Sequence, residues 1–201
     1  MRSSLIPLLL LEVPMKSLAK QQQQLEQAGV VQVQTSYQGR LISVQSEWIQ
    51  DENNHVHKYD IVLHPGAVVI IPIHHDGQIH LIKQWRRAAA TILVELPAGT
   101  LEPGEEPLLC AQRELQEEIG YKAKKMTSLG GFFTAPGFCN EYLHLFLAEE
   151  LLPSSLQGDD SEKIDPCLLS LEKSLDWIET GRIQDAKTIC GIYRYLRWKN
   201  R

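Results

Sequence analysis

The chain has 201 residues, 43% of them apolar and 22% charged, enough for one sizeable core and too balanced for a disordered polymer. Acidic residues outnumber basic ones 25 to 20, for a formal net charge of −5, which argues against a broad footprint on DNA or RNA. An anionic small molecule stays compatible with such a chain if metal ions stand between it and the protein. The four cysteines, Cys110, Cys139, Cys167 and Cys190, form no CxxC pair and no zinc-finger spacing with histidine. They read as reduced thiols of a cytoplasmic protein. No apolar run reaches the length of a membrane-spanning helix.

In chain order, Leu5–Leu11 is apolar apart from one proline and follows Arg2, but no small-x-small cleavage site follows it, and Met15 offers an alternative start. Residues 1–29 are therefore read as a flexible or helical leader. Residues 30–64 form an N-terminal strand region, with extended segments from Val30, over Leu41–Trp48 and over His57–Leu63, punctuated by Gly39 and Asn53-Asn54. Residues 65–201 make the main domain. Ala67–Ile73 is nearly continuous apolar sequence, as a buried strand requires. Asp76-Gly77 marks a hairpin turn before Gln78–Gln84, and the paired His74-His75 beside it reads as part of that turn. Ile92–Leu96 is a further strand.

From Glu105 to about Ile119 the period becomes helical. Pro107 suits the first turn, early carboxylates suit the positive end, and Gly120 stops the helix. Leu108, Ala111, Leu115 and Ile119 recur on one face. Strands resume at Leu129–Thr134 and Tyr142–Ala148, and the acidic stretch 153–163 reads as a mobile surface loop. Two helices close the chain: Leu171–Thr180, ended by Gly181, and Ala186–Trp198, opened by Asp185 as N-cap. Trp177 and Trp198 fall on their apolar faces. The pattern predicts an α+β fold, a helix–sheet–helix sandwich.

The chemistry concentrates between Gly99 and Tyr121. Glu114, Glu117 and Glu118 stand three and four apart on one helix, so their carboxylates share a face. Like charges at those spacings destabilise a helix by roughly 0.2–0.5 kcal/mol per pair unless cations neutralise them. Hard carboxylate oxygens suit Mg²⁺ or Mn²⁺ rather than a thiophilic metal. An isolated Glu-x-x-Glu-Glu would read as a solvated helix face. Here Gly99, Glu105, Arg113 and Gly120 also stand at fixed spacings around it.

That spacing resembles the Nudix box: Gly, five residues, Glu, seven residues, Arg-Glu, apolar, x, Glu-Glu, x, Gly, apolar. Tyr121 is the one mild departure, at a position usually aliphatic. The resemblance implies a Nudix fold, an α/β/α sandwich around a mixed sheet, with the N-terminal strands used in dimerisation. It implies that Glu114, Glu117 and Glu118 bind metal, while Gly99, Glu105, Arg113 and Gly120 hold the shape of loop and helix. Glu95-Leu-Pro-Ala-Gly99 and Pro136, sixteen residues past Gly120, are similar to the ADP-ribose pyrophosphatase branch, in which the Ala98 carbonyl also touches a metal. His64-Pro-Gly-Ala67, Gln84-Trp-Arg86 and Gly181–Thr188 add to the likeness.

The implied activity is Mg²⁺-dependent hydrolysis of ADP-ribose, or a related nucleoside diphosphate sugar, to AMP and ribose 5-phosphate, with Mn²⁺ able to substitute. GDP-mannose or another nucleotide sugar is the alternative substrate. A catalytically silent Nudix binding module is a third reading, and the intact box carboxylates weigh against it. The expected partners are the small-molecule substrate and a second copy of the chain, with no nucleic acid and no membrane. Arg86 is expected to contact a phosphate or the terminal ribose, because a guanidinium offers paired donors. Pro136 and Glu141 lie in the expected substrate loop. Tyr59 is either a base-stacking residue or an ordinary strand aromatic. For the base that activates water, Glu162 leads, Asp160 follows, and Glu117 is the choice within the box.

Overall fold

A computed structural model describes residues 29–158 and 163–201, together with Leu18, Lys20 and Gln22. The rest of residues 1–28, and Asp159–Glu162, lie outside the described residues. The chain divides into two compact units, one comprising residues up to Gly39 with Ser43–Ile61, the other Arg40–Ile42 with Val62–Arg201.

The smaller unit carries a three-stranded sheet in the order β1 (Gly29–Gln38), β2 (Ser43–Gln50), β3 (Val56–Leu63), the last two residues of β3 belonging to the larger unit. Asp51 builds the turn between β2 and β3: its Oδ1 accepts from the amides of Asn53 at 2.9 Å and His55 at 2.8 Å. Asn54 takes the left-handed conformation there, at φ 63°, which asparagine tolerates better than most side chains. Val30, Val31, Val33, Tyr37, Val56 and Tyr59 are all more than 40% exposed.

The larger unit carries two sheets. One is ordered β10 (Ile164–Leu169), β5 (Ile79–Arg86), β6 (Thr91–Glu95); the other β7 (Ala98–Thr100), β4 (Ala67–Pro72), β9 (Tyr142–Pro153), β8 (Tyr121–Phe133). β4 and β9 run parallel from Ala67↔Leu143 to Pro72↔Ala148, and the other strand pairings within the two sheets, among the described residues, are antiparallel. The sheet is thus mixed, as predicted. The uninterrupted apolar run of β4 has a simple cause. Alternate side chains point to opposite faces of a strand, and both faces of β4 are covered. Val68 and Ile70 join Ile82, Ala111, Leu115 and Phe146 in one core. Val69 and Ile71 join Ile79, Leu81, Leu145, Leu147, Ile192 and Tyr195 in the other.

Three helices cover these faces: α1 (Pro107–Glu118), α2 (Leu171–Glu179) and α3 (Ala186–Lys199). α1 contributes Cys110, Ala111 and Leu115 to the first core, while Ile192 and Tyr195 of α3 enter the second, with Trp177 and Trp198 packed against it. Each fully buried aliphatic side chain stabilises by roughly 1.5–3 kcal/mol. That outweighs the repulsion among the α1 carboxylates several times over, so packing and not propensity decides that α1 forms.

Four expectations change. α1 starts at Pro107, so Glu105 and Glu106 precede it and no acidic residue occupies its first turn. Leu108 is 46% exposed, while Cys110, to which the spacing assigned no role, is fully buried; the face that packs inward runs through Cys110, Ala111, Glu114, Leu115 and Glu118, one residue round from Leu108. β8 begins at Tyr121 rather than Leu129, because Lys122–Lys125 pair with the extended end of β9. The acidic stretch 153–163 is followed by a strand not among the expected elements, β10, which contains Pro166. Proline is tolerated because β10 pairs only with β5, leaving an edge that needs no donor there. The Asp76-Gly77 hairpin forms as expected, with Gly77 at φ 85° and the His74 amide donating to the Gln78 carbonyl at 2.8 Å.

Candidate active site

The site is built where β7 runs beside α1. β7 is short because Pro97 precedes it and the loop through Pro103-Gly104 follows, yet it presses its backbone on the acidic face of the helix. A β-carbon on Gly99 would lie 1.8 Å from the Glu114 carboxyl carbon, so only glycine admits that carboxylate. The Ala98 amide donates to Glu118 Oε2 at 3.0 Å. Glu114 and Glu118 are consequently 9% exposed, and the acidic face is a half-closed cleft wall rather than a solvated surface.

Arg113 organises the carboxylates. Its Nε and Nη2 form a fork on Glu105, at 2.9 Å to each oxygen. Its Nη1 donates to Glu114 Oε1 at 2.6 Å and to Glu117 Oε2 at 3.1 Å, and Nη2 also reaches the Thr100 carbonyl at 3.3 Å. One guanidinium thus ties β7, the loop and the helix together. The Arg113 hydrogen bonds draw the Glu105 carboxyl down to about 2, and Glu105 in turn raises Arg113. Gly120 ends α1 at φ 74°, and its carbonyl accepts from the Ser154 amide at 2.9 Å.

Ala98, Gly99, Arg113, Glu114, Glu117 and Glu118 border a cleft of about 1330 Å³ lined also by Arg40, Gln84, Arg86, Leu101, Lys163 and Pro166. That volume suits a ligand of nucleoside-diphosphate size or larger. The lining carries both the carboxylates of Glu114, Glu117 and Glu118 and the cations of Arg40, Arg86 and Lys163, which suits an anion approached through metal. As the side chains stand, no three Asp, Glu, His or Cys side chains among the described residues converge on one point; Arg113 holds two of the glutamates and the Ala98 amide the third. The donor set nevertheless fits a hard divalent cation: three carboxylates gathered along one helix face, with no sulfur or imidazole among them.

A model of the NUDIX domain matches residues 63–190. The chain belongs to the Nudix family. Among its relatives, an ADP-ribose pyrophosphatase of Bacillus subtilis is 41% identical over 81% of this chain and 89% of its own length. A methanol dehydrogenase activator of Bacillus methanolicus is 36% identical over 83% of this chain and 91% of its own. A crystal structure of an ADP compounds hydrolase superposes with a TM-score of 0.76 at 27% identity, covering 84% of this chain and 92% of that one.

Within this Nudix fold, Arg86, Ala98, Gly99, Arg113, Glu114, Glu117 and Glu118 border one cleft. Pro136 and Glu141 do not line it. They belong to a loop fastened to the 62–66 segment, where the Val62 amide donates to the Phe138 carbonyl at 2.7 Å and the His64 amide to Asn140 Oδ1 at 2.7 Å. Glu141 accepts from Thr134 Oγ1 at 2.8 Å and faces His64 Nε2 at 3.6 Å. His64 Nδ1 accepts from the Gly66 amide at 3.0 Å, which leaves the ring proton on Nε2, toward that carboxylate. Tyr59 stands 45% exposed on β3 of the smaller unit. Asp160 and Glu162 lie outside the described residues.

Sequence reasoning attached no role to Glu95, Lys187, Arg40 or Lys163. Glu95 is fully buried yet charged. Its signal was present in the two flanking motifs, Glu95–Gly99 and Gly181–Thr188, but only the fold shows that the two meet.

Proposed function

We propose that this protein hydrolyses the diphosphate linkage of ADP-ribose, or of a closely related nucleoside diphosphate sugar, to a nucleoside monophosphate and a sugar phosphate, using Mg²⁺. The observation that carries the reading is the cleft in which the Glu114, Glu117 and Glu118 wall stands with Arg86 in one cavity; the relatives named for ADP-ribose and ADP compounds support the substrate. Glu114, Glu117, Glu118 and the Ala98 carbonyl would hold the metal. Bound there, it would neutralise the diphosphate and lower the pKa of an attacking water. Arg86 binds the phosphate or ribose end of the substrate through paired donors. Arg113 and Glu105 hold β7 against α1, so the carboxylates are in place before substrate arrives. With the box carboxylates intact, a silent binding module has no support.

The test ranks turnover of ADP-ribose, GDP-mannose, ADP-glucose, NADH and diadenosine polyphosphates with Mg²⁺ or Mn²⁺. ADP-ribose should lead, AMP should be released, and EDTA should abolish turnover. Turnover led by GDP-mannose would move the substrate assignment and leave the fold untouched.

For the base we keep Glu162 first, Asp160 second and Glu117 third. Glu162→Gln should lower kcat by about 10²-fold or more with little change in KM, because a base acts in the transition state. If Glu162→Gln and Asp160→Asn both turn over normally, the base is Glu117.

We further propose a cytoplasmic homodimer formed through the smaller unit. Its exposed Val30, Val31, Val33 and Val56 are the kind of apolar surface that a monomer rarely leaves uncovered. Tyr59 is our candidate there for stacking on a nucleotide base, with an ordinary strand aromatic as the alternative. Light scattering at micromolar concentration should return twice the chain mass; a monomer would reject the dimer. No described helix is long and apolar enough to cross a membrane.

A further inference from the structure

Arg86, at the border of the cleft, rests on a charged group that the reaction does not use. Glu95, the last residue of β6, is fully buried. Its Oε1 accepts from Arg86 Nε and its Oε2 from Arg86 Nη2, each at 2.8 Å. This fork fixes both the position and the plane of the guanidinium. Arg86 borders the cleft with Gln84 and Pro166.

The same Oε2 is also hydrogen-bonded by Lys187 Nζ, from the first turn of α3. Lys187 stands 3.0 Å from Asp185 Oδ2 as well. Asp185 caps α3, accepting from the Thr188 amide at 2.9 Å. The Thr188 hydroxyl donates to Asp185 at 2.5 Å and accepts from the Leu96 amide at 2.8 Å. The start of α3 is therefore pinned to the end of β6, and its lysine enters a carboxylate that orients Arg86. Burial alone would raise the Glu95 pKa, but the cations beside it bring it below the ordinary value; the carboxylate stays ionised because they surround it.

Lys187 does not line the cleft, so it has no direct path to substrate. We propose that Lys187 is a positioning residue for substrate binding. It holds Glu95 in the orientation that forks Arg86 at the cleft wall, so that the C-terminal helix sets the geometry of the anion-binding side. Without the lysine, Glu95 can rotate about its last bond, and among the described residues Arg86 is the close cation left to it. The guanidinium is then both less fixed in plane and drawn more strongly away from an incoming anion.

This inference rests on the reading that Arg86 binds substrate, and the experiment separates the two. Lys187→Met, Lys187→Gln and Lys187→Arg are made in the wild type and in Arg86→Ala, and kcat and KM are measured at saturating Mg²⁺ on whichever nucleotide sugar the panel ranks first. A ranking not led by ADP-ribose overturns the substrate assignment and leaves this test intact. Lys187→Met should raise KM about tenfold with kcat nearly unchanged, the size expected when a charge-assisted hydrogen bond is weakened rather than lost. Lys187→Gln should fall between, and Lys187→Arg should restore most of the affinity. In Arg86→Ala, Lys187→Met should leave KM within about twofold, because the path through Arg86 is gone. An unchanged KM in Lys187→Met, or an equal rise in both backgrounds, overturns the proposal. If Arg86→Ala itself binds normally, the Arg86 reading fails and this one with it. Should Lys187→Met not fold, Lys187→Gln carries the same comparison.

Discussion

Glu118→Gln is expected to lower kcat by about 10²–10⁴-fold while leaving the fold intact, the loss expected when a metal that supplies several kcal/mol of transition-state stabilisation is no longer held correctly. Glu118 lies against β7 with Oε2 accepting from the Ala98 amide at 3.0 Å. A glutamine has the same shape and can keep that hydrogen bond with its carbonyl oxygen. It then presents an amide with no negative charge to the cleft. Removing one of three neighbouring carboxylates also relieves repulsion along α1, so the melting temperature in EDTA should not fall. The measurements are steady-state kinetics and thermal unfolding without metal. Near-normal turnover would take Glu118 out of the metal site.

Gly99→Ala should cost activity nearly as much for a different reason. The added methyl carbon would lie 1.8 Å from the Glu114 carboxyl carbon and 1.9 Å from its Oε1, far inside van der Waals contact. Glu114 cannot yield freely, because Arg113 Nη1 holds it at 2.6 Å. Either the glutamate leaves its place or β7 moves away from α1, and both displace the Ala98 carbonyl and amide. We expect kcat/KM to drop by at least about 10²-fold, since misplacement by an ångström is enough for that loss. Overpacking should lower stability by about 1–3 kcal/mol. Calorimetric titration with Mg²⁺ should show weakened metal binding in the same variant. Full activity in Gly99→Ala would mean that β7 does not press on the helix in solution.

The two variants mark the difference between what could be read from residues and what needed the fold. Glu118 was legible because helical spacing depends on neighbours only: positions three and four apart share a face in any α-helix. The necessity of Gly99 was not legible physically, because its neighbour Glu114 is brought to it by the pairing of β7 with β4.

The amino-acid sequence by itself determined the helix that carries Glu114, Glu117 and Glu118, the buried β4 run, the Asp76-Gly77 hairpin and the α+β class. Each follows from local period, turn chemistry or apolar patterning within a short stretch of chain. Only the tertiary structure decided that Leu108 faces water and Cys110 the core, that Pro166 sits in an edge strand, and that Glu141 ties its loop to His64. It alone decided that Arg86, Glu95 and Lys187 meet. Those residues are about a hundred positions apart at the extremes, and nothing local records which buried carboxylate will neutralise which cation. That choice is made when β5, β6 and α3 pack, because a charge removed from water is stable only beside a partner that the fold has brought to it.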